Sequence, residues 1–230
     1  MTVLSGLEPK AVFEYFEKLC AVPHGSGNTK QISDLCVDFA KELGLKWRQD
    51  EVHNVVIWKD ASPGCEDAPT VILQGHIDMV CVKTEDCAKD MAKEGLDLRT
   101  DGEWVWADKT SLGGDNGIAV AMILAILADD SLPHPPLEAV FTVDEEVGLE
   151  GAFALDCSDL KGRKLVNLDS EEEGVFPVSC AGGVRVDCFL PGVKAPLNGE
   201  AGYEISLEGL LGGHSGAEIH KGRASANQVM

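Results

Sequence analysis

The sequence predicts an α/β fold in which a mixed sheet is flanked by helices. Apolar segments of strand length alternate with segments of helix length along most of the chain. Acidic residues follow several of these strands directly. Ligands of an open α/β sheet bind outside the carboxyl ends of its strands. The sequence therefore also predicts a polar site along one edge of the sheet.

The composition is that of a folded protein with a large excess of acidic residues. The chain has 230 residues, 44% of them hydrophobic, which suffices for one large domain or for one domain with part of a second. The net charge of −20 disfavours nucleic acid and anionic membranes as partners. No apolar run is long enough to cross a membrane, and the first residues lack the pattern of a signal peptide. We expect a cytoplasmic protein.

The eight cysteines do not form a CxxC pair, which disfavours a structural zinc ribbon. Most of them lie in apolar segments, so we expect reduced thiols that pack as small hydrophobic groups. Cys81 lies close to His76 in sequence and could form a Cys–His nucleophile. Its apolar setting in MVCV favours a core thiol instead.

The first third of the chain is predicted to form two helices and three strands. Pro9 suits the first turn of a helix from Glu8 to Cys20. Asn28 can cap a second helix, which Gly44 ends. The strands are predicted at residues 46–49, 54–59 and 70–73, and the last of them runs through Gly75 toward His76 and Asp78.

The middle of the chain is predicted to form a hairpin, an apolar helix and two further strands. The hairpin joins residues 96–99 and 104–107 through Thr100-Asp101-Gly102. The glycine-rich segment 113–117 opens an alanine-rich helix over 118–128. Two further strands are predicted at 137–143 and 165–168, and a short helix is predicted within 147–155. Residues 83–95 are predicted to form a loop or a short helix.

The pattern of residues changes after about Val175, where short β-like runs are separated by Gly and Pro. This change predicts a first domain over residues 1–183 and the start of a second over 184–230. The chain ends inside ASANQVM, which has the pattern of a helix opening. We therefore expect a fragment of a longer protein.

Six ionisable residues are predicted to meet at the edge of the sheet: His76, Asp78, Asp115, Glu145, Glu146 and Asp169. His76 and Asp78 are two residues apart, so on an extended backbone they face one crevice together. Five carboxylates in one crevice could not all stay ionised without cations. Histidine with carboxylates suits zinc, with cobalt or manganese as alternatives.

The carboxylates also suggest a division of roles. Asp115 could bridge two metal ions, as two-metal hydrolases require. Glu145 and Glu146 are adjacent, and adjacent side chains usually diverge. One of them could therefore bind a metal ion while the other acts as a general base on the substrate water.

Each of these clusters alone also has a simpler structural interpretation. Glu145 and Glu146 alone are typical of a solvated helix start. Residues 113–117 alone are typical of a turn and helix cap, and Asp115 would repel a bound phosphate. The run 170–173 is typical of a solvated acidic surface. The common position of the clusters at strand ends favours the metal interpretation.

Several motifs in the chain resemble the M20 metallopeptidase family. They are QGHIDMV at 74–80, TSLGGDNGIAVA at 110–121, TVDEEVGLEGA at 142–152 and NLDSEEEG at 167–174. The segments PHGSGNTKQISD at 23–34 and GGHSGAEIHKGRASANQ at 212–228 are similar to the cytosolic aminoacyl-histidine (Xaa-His) dipeptidases of that family, also called peptidase D. The resemblance covers nearly the whole chain.

The resemblance implies a zinc-exopeptidase-like catalytic domain over 1–183 and the beginning of an inserted α+β lid domain over 184–230. It implies two zinc ions, with cobalt or manganese as alternatives. The implied metal ligands are His76 and Asp169 on one ion, Glu146 on the other, and Asp115 on both.

The resemblance further implies the roles of the remaining site residues. Asp78 would orient His76, and Glu145 would activate the water that attacks the substrate. His214, in GGHSG, would help to stabilise the oxyanion. The peptide bond between Asp115 and Asn116 would be cis.

The implied activity is the hydrolysis of small dipeptides, of the Xaa-His type or of broad specificity. Another M20-type amidohydrolase activity, such as that of a deacylase, tripeptidase or carboxypeptidase, remains an alternative. Members of the family are longer, and no residue here matches the late histidine that completes their second metal site. A non-catalytic truncated homologue that binds metal or peptide without turnover therefore stays open, as does a homodimer of the full-length protein.

Overall fold

The computed structural model describes residues 2–170, 174–179, 182, 186, 189, 191–193, 196, 199, 202–213 and 218–230. The chain divides into two compact units, Met1–Ser179 and Cys180–Met230. The domain boundary predicted between residues 183 and 184 stays a prediction. The predicted site residues of the sheet edge all lie in the first unit.

The described residues of the first unit form seven strands in two sheets: β1 Lys46–Gln49, β2 Val55–Lys59, β3 Val71–His76, β4 Leu98–Thr100, β5 Val105–Ala107, β6 Leu137–Thr142 and β7 Lys164–Asn167. The larger sheet has the order β1-β2-β6-β3-β7. β1, β2 and β6 pair antiparallel, whereas β6, β3 and β7 run parallel. The carboxyl ends of three neighbouring strands therefore meet at one edge, and the predicted mixed α/β sheet is confirmed.

In the part of the first unit that the structure describes, the helices are α1 Lys10–Cys20, α2 Lys30–Glu42, α3 Gly114–Ala128 and α4 Glu150–Ala154. α3 is apolar around most of its circumference, and it packs between α1 and β3. β6 is buried along its entire length, as expected for an apolar strand with a neighbour on each side. Side chains of α1, α3 and β6 thus share one hydrophobic core.

β3 is longer than predicted and includes His76 itself. Pairing with β6 continues through Gly75 and His76, which lie opposite Phe141 and Thr142. Gly75 is required here because a Cβ atom at this position would lie 2.6 Å from Oδ1 of Asn116. The missing side chain lets the start of α3 approach β3 closely, which brings the polar end of the helix beside His76.

The remaining elements of the first unit follow the prediction with shifted ends. β4 and β5 form the predicted antiparallel hairpin. Residues 83–95 form turns and contain no helix. The predicted cap at Asn28 is wrong: α2 begins after Thr29, and the Asn28 side chain donates to the carbonyl of Ala92 instead.

The second unit is described only in part. Its described residues contain a 3₁₀ turn at Ile219–Lys221 and a short helix, α5, at Ala226–Val229. The helix opening predicted in ASANQVM is therefore present, whereas none of the described residues after 174 forms one of the predicted β-like runs. Across the described parts of both units, no helix is long and apolar enough to cross a membrane.

Candidate metal centre

Four polar segments meet where the parallel strands end. They supply the six predicted site residues: His76 and Asp78 from the end of β3, Asp115 from the start of α3, Glu145 and Glu146 from the segment after β6, and Asp169 from the segment after β7. Because β6, β3 and β7 are adjacent and parallel, residues far apart in sequence reach the same edge of the sheet.

Within the described residues, two groups of side chains could hold a metal ion, and His76 belongs to both. One group is His76, Asp115 and Asp169; the other is His76, Glu145 and Glu146. In each group the ligand atoms lie within 4.8 Å of one another. Nε2 of His76 lies 3.0 Å from Oδ1 of Asp115 and 3.9 Å from Oε2 of Glu145. All four predicted metal ligands therefore lie near this imidazole, and Glu145 lies there too.

Asp78 lies behind His76 and does not line the crevice beside it. Its exposed fraction is 1%. Nδ1 of His76 lies 3.1 Å from the backbone carbonyl oxygen of Asp78 and 3.3 Å from its Oδ1. β3 ends at His76, so Asp78 lies beyond the strand and its carboxylate contacts the imidazole on the Nδ1 side, whereas Asp115 contacts it on the Nε2 side. Two acceptors at Nδ1 favour a proton there, which leaves Nε2 for a metal ion.

The burial and charge around this pair shift both pKa values. Burial opposes the ionisation of Asp78, yet hydrogen bonds from His76, from Ser26 and from the backbone N–H of Glu145 lower its pKa. Burial also opposes the protonation of His76. The hydrogen bond and charge of Asp78, together with the charge of Asp169, prevail and raise the pKa of His76 to about 9. The imidazolium thus balances part of the negative charge, and a metal ion would replace its Nε2 proton.

The two glutamates are held as weaker acids than usual. Burial raises the pKa of Glu145, and the carboxylate of Asp169 adds to this against the opposing charge of His76. Burial and the charge of Asp115 likewise raise the pKa of Glu146. Carboxyl groups that are partly withdrawn from water and lie beside other carboxylates would be stabilised as anions by a cation. The donor set therefore fits a divalent metal.

The side chain of Asn116 connects three elements of the site, whereas the sequence resemblance implied only the cis peptide bond of this residue. Its Oδ1 accepts the backbone N–H of His76 at 3.3 Å, and its Nδ2 donates to the carbonyl of Leu168 at 3.2 Å. The side chain is buried, and the peptide bond between Asp115 and Asn116 is cis, as the resemblance implies. Asn116 thereby holds the start of α3 against β3 and against the segment that carries Asp169.

Asn54 likewise connects segments of the site, at the end of β6, and no sequence pattern predicted this role. It is buried, its Oδ1 accepts the N–H of Val143 at 3.1 Å, and its Nδ2 donates to the carbonyl of Gly151 at 2.8 Å. These bonds close the segment 144–150, which carries Glu145 and Glu146, onto the end of β6.

Among the described residues, Cys81 belongs to neither candidate metal group. His214 lies outside the described residues. Cys81 is exposed, so the expectation of a core thiol is wrong, although partial burial still raises its pKa. The expectation of buried cysteines is confirmed for Cys20 and Cys36, whereas Cys157 is exposed.

The fold and the site together define an exopeptidase-like α/β protein with a candidate metal centre at the carboxyl ends of its parallel strands. No protein-family model matches the chain. The cytosol non-specific dipeptidase of Escherichia coli (strain K12) is 42% identical over 232 residues, covering 100% of this chain and 48% of the relative. The crystal structure of aminoacylhistidine dipeptidase from Vibrio alginolyticus has 44% identity and a TM-score of 0.72, covering 74% of this chain and 35% of that one.

These similarities confirm the resemblance to the M20 metallopeptidase family that the motifs indicate. A tripeptidase from Staphylococcus aureus, with 23% identity and a TM-score of 0.60, covers 71% of this chain and 44% of its own and shares the fold. The chain spans about half the length of the curated relative from E. coli.

Proposed function

We propose that this protein hydrolyses dipeptides in a metal-dependent reaction, with Xaa-His or broad dipeptide specificity. The observation that carries the proposal is the meeting of two candidate metal groups at one imidazole, His76. The 42% sequence identity to a dipeptidase, which extends over the entire chain, supports the substrate class. The unblocked dipeptide is thus the small-molecule partner in this proposal.

The donor set supports two metal ions, with zinc as the first choice and cobalt or manganese as alternatives. We assign His76 and Asp169 to one ion, Glu146 to the other and Asp115 to both. The candidate group of His76, Asp115 and Asp169 supports the first ligand set, and the family resemblance alone supports the sharing of Asp115 with Glu146. When bound, such ions polarise a scissile carbonyl and lower the pKa of water. Other residues of the protein orient the metal-binding side chains and transfer the proton of the attacking water.

Glu145 is the proposed general base. Its raised pKa suits a group that takes a proton from the attacking water and passes it to the leaving amine. Asp78 is the proposed orienting residue, because its buried carboxylate and carbonyl both face Nδ1 of His76. We assign oxyanion stabilisation to His214 on the motif GGHSG alone.

A second candidate function is metal binding without turnover. Its support is that His76 is the one imidazole in the two candidate groups among the described residues. The retention of Glu145 beside that imidazole favours the enzyme, since a metal-binding protein has no need of a general base. Another amidohydrolase activity on the same centre would also use this base.

The test is a zinc titration of the metal-free chain combined with hydrolysis of a panel of Xaa-His dipeptides, other dipeptides, tripeptides and N-acyl amino acids. The proposal predicts metal uptake and turnover that is fastest on dipeptides and that a chelator abolishes. Uptake without turnover would favour the binding protein, and preference for tripeptides or N-acyl substrates would favour another amidohydrolase.

We extend the proposal to a cytoplasmic location and to a homodimer of the full-length protein. The acidic charge and the cytosolic relative support the location. The dimer is carried by the family resemblance, and sedimentation of a full-length homologue at several concentrations would test it.

A further inference from the structure

The loop between α1 and α2 contacts the segments that carry the candidate metal centre. Its tip is attached to the segment after β3 by backbone bonds: the N–H of Met79 donates to the carbonyl of His24 at 3.1 Å, and the N–H of Ser26 donates to the carbonyl of Met79 at 3.3 Å. At the same tip, the N–H of Gly27 donates to Oδ1 of Asp144 at 2.6 Å. The loop therefore contacts both segments that follow β3 and β6.

The hydroxyl of Ser26 is directed at the carboxylate that lies behind His76. Its Oγ donates to Oδ2 of Asp78 at 2.8 Å. The second contact of this oxygen is the backbone N–H of Glu146, at 3.4 Å. The other oxygen, Oδ1, accepts from the backbone N–H of Glu145 at 3.1 Å and lies 3.3 Å from Nδ1 of His76.

The contacts of Asp78 show why the hydroxyl matters. The side chain of Asp78 is almost fully buried, so water cannot readily replace a lost donor. Without the hydroxyl, the one contact left to Oδ2 among the described residues would be the long one to the N–H of Glu146, and the carboxylate could rotate away from Nδ1 of His76. The loop itself would remain attached, since its bonds to Met79 involve backbone atoms.

We propose that Ser26 is a positioning residue of the metal centre, which acts by fixing the Asp78 carboxylate against His76. This inference rests on the proposed function, because it concerns the same centre. Its consequence is that the Ser26 hydroxyl increases metal affinity without contributing a ligand. Groups that orient metal ligands typically affect metal affinity by about tenfold to a hundredfold.

The experiment compares S26A, S26T and S62A with the unmodified chain. Ser62 is a matched control: it is also a half-buried loop serine, and its hydroxyl accepts from the N–H of His134 at 2.5 Å, next to the start of β6 and far from the strand ends that carry the site. Zinc affinity is measured by competition with a chromophoric chelator. The visible absorption of the Co²⁺-loaded proteins reports the ligand geometry, and urea unfolding of the metal-free proteins reports stability.

We expect S26A to weaken zinc binding by about tenfold and to change the Co²⁺ spectrum, whereas S26T and S62A bind as the unmodified chain does. Unchanged zinc affinity in S26A, or an equal loss in S62A, would overturn the proposal. A failure of S26A to fold would also overturn it, since Ser26 would then be a structural residue. If the unmodified chain takes up no zinc, the proposed function itself fails, and this result is distinct from a failure confined to S26A.

Discussion

Glu145 and Glu146 are adjacent side chains with different proposed roles, one as general base and the other as metal ligand. Both lie near His76, and the two raised pKa values do not by themselves separate a base from a ligand. The proposed assignment gives proton transfer to Glu145 and metal binding to Glu146. It can be tested by removing one negative charge at a time with almost no change in shape.

We expect E145Q to lower kcat at least about a hundredfold, the lower range for a lost general base, while the metal content stays unchanged. E146Q should instead lose metal, with a corresponding loss of activity. Metal content by elemental analysis and kcat on a dipeptide are measured on the same samples. Loss of metal in E145Q with retention in E146Q would show that the two roles are reversed.

At the scale of elements, α3 is the helix whose start carries Asp115, and its carboxyl end is attached to the sheet. The carboxyl end of α3 is capped by Lys59, a buried lysine on β2. Its Nζ donates to the carbonyls of Leu127 at 2.9 Å and Asp129 at 3.2 Å, and to Oδ1 of Asp130 at 3.0 Å. A positive charge at this end also complements the helix dipole. β2 and α3 are thus joined by one side chain.

We expect K59M to reduce the free energy of unfolding by about 2 kcal/mol, because methionine keeps the apolar stem and removes a charged donor to the buried carbonyl of Leu127 and the partly buried carbonyl of Asp129. K41M is the matched control. Lys41 is exposed, pairs with Asp38 on its own helix and lies 5.4 Å from the ring centroid of Trp47, so its loss should cost at most about 1 kcal/mol. Urea unfolding measures both. Equal stability of the two variants would mean that the Lys59 cap contributes nothing.

The side-chain contacts that the sequence did not predict share one property: each joins residues that are distant in the chain. Lys59 contacts a carbonyl 68 residues away, Asn116 one 52 residues away and Asn54 one 97 residues away. Periodicity and capping rules describe neighbours, so they predicted α3 and the hairpin but not these connections. The same limit explains Asp78: its place behind His76 depends on where β3 stops pairing with β6.

At the scale of the whole molecule, the strand-end carboxylates were predictable because chain order and sheet topology agree. Each acidic motif follows its own apolar strand or opens its own helix, and parallel strands bring such ends together. The strand order itself was not predictable, since β6 lies between β2 and β3 although it follows them by many residues. The sequence therefore indicated which residues meet, and the structure supplies their distances.

This organisation predicts that the metal centre belongs to the first unit alone. The six clustered side chains and the described hydrophobic core all come from residues before 170. We therefore expect a chain of residues 1–179 to unfold cooperatively and to bind zinc as tightly as the 230-residue chain, within about threefold, which corresponds to about 0.7 kcal/mol. H214A in the full chain is the companion variant. If His214 contacts only the oxyanion, H214A keeps zinc affinity and loses turnover. A large loss of zinc affinity in either protein would show that a residue after 179 contributes to the metal centre, and the assignment of all its ligands to the sheet edge would be wrong.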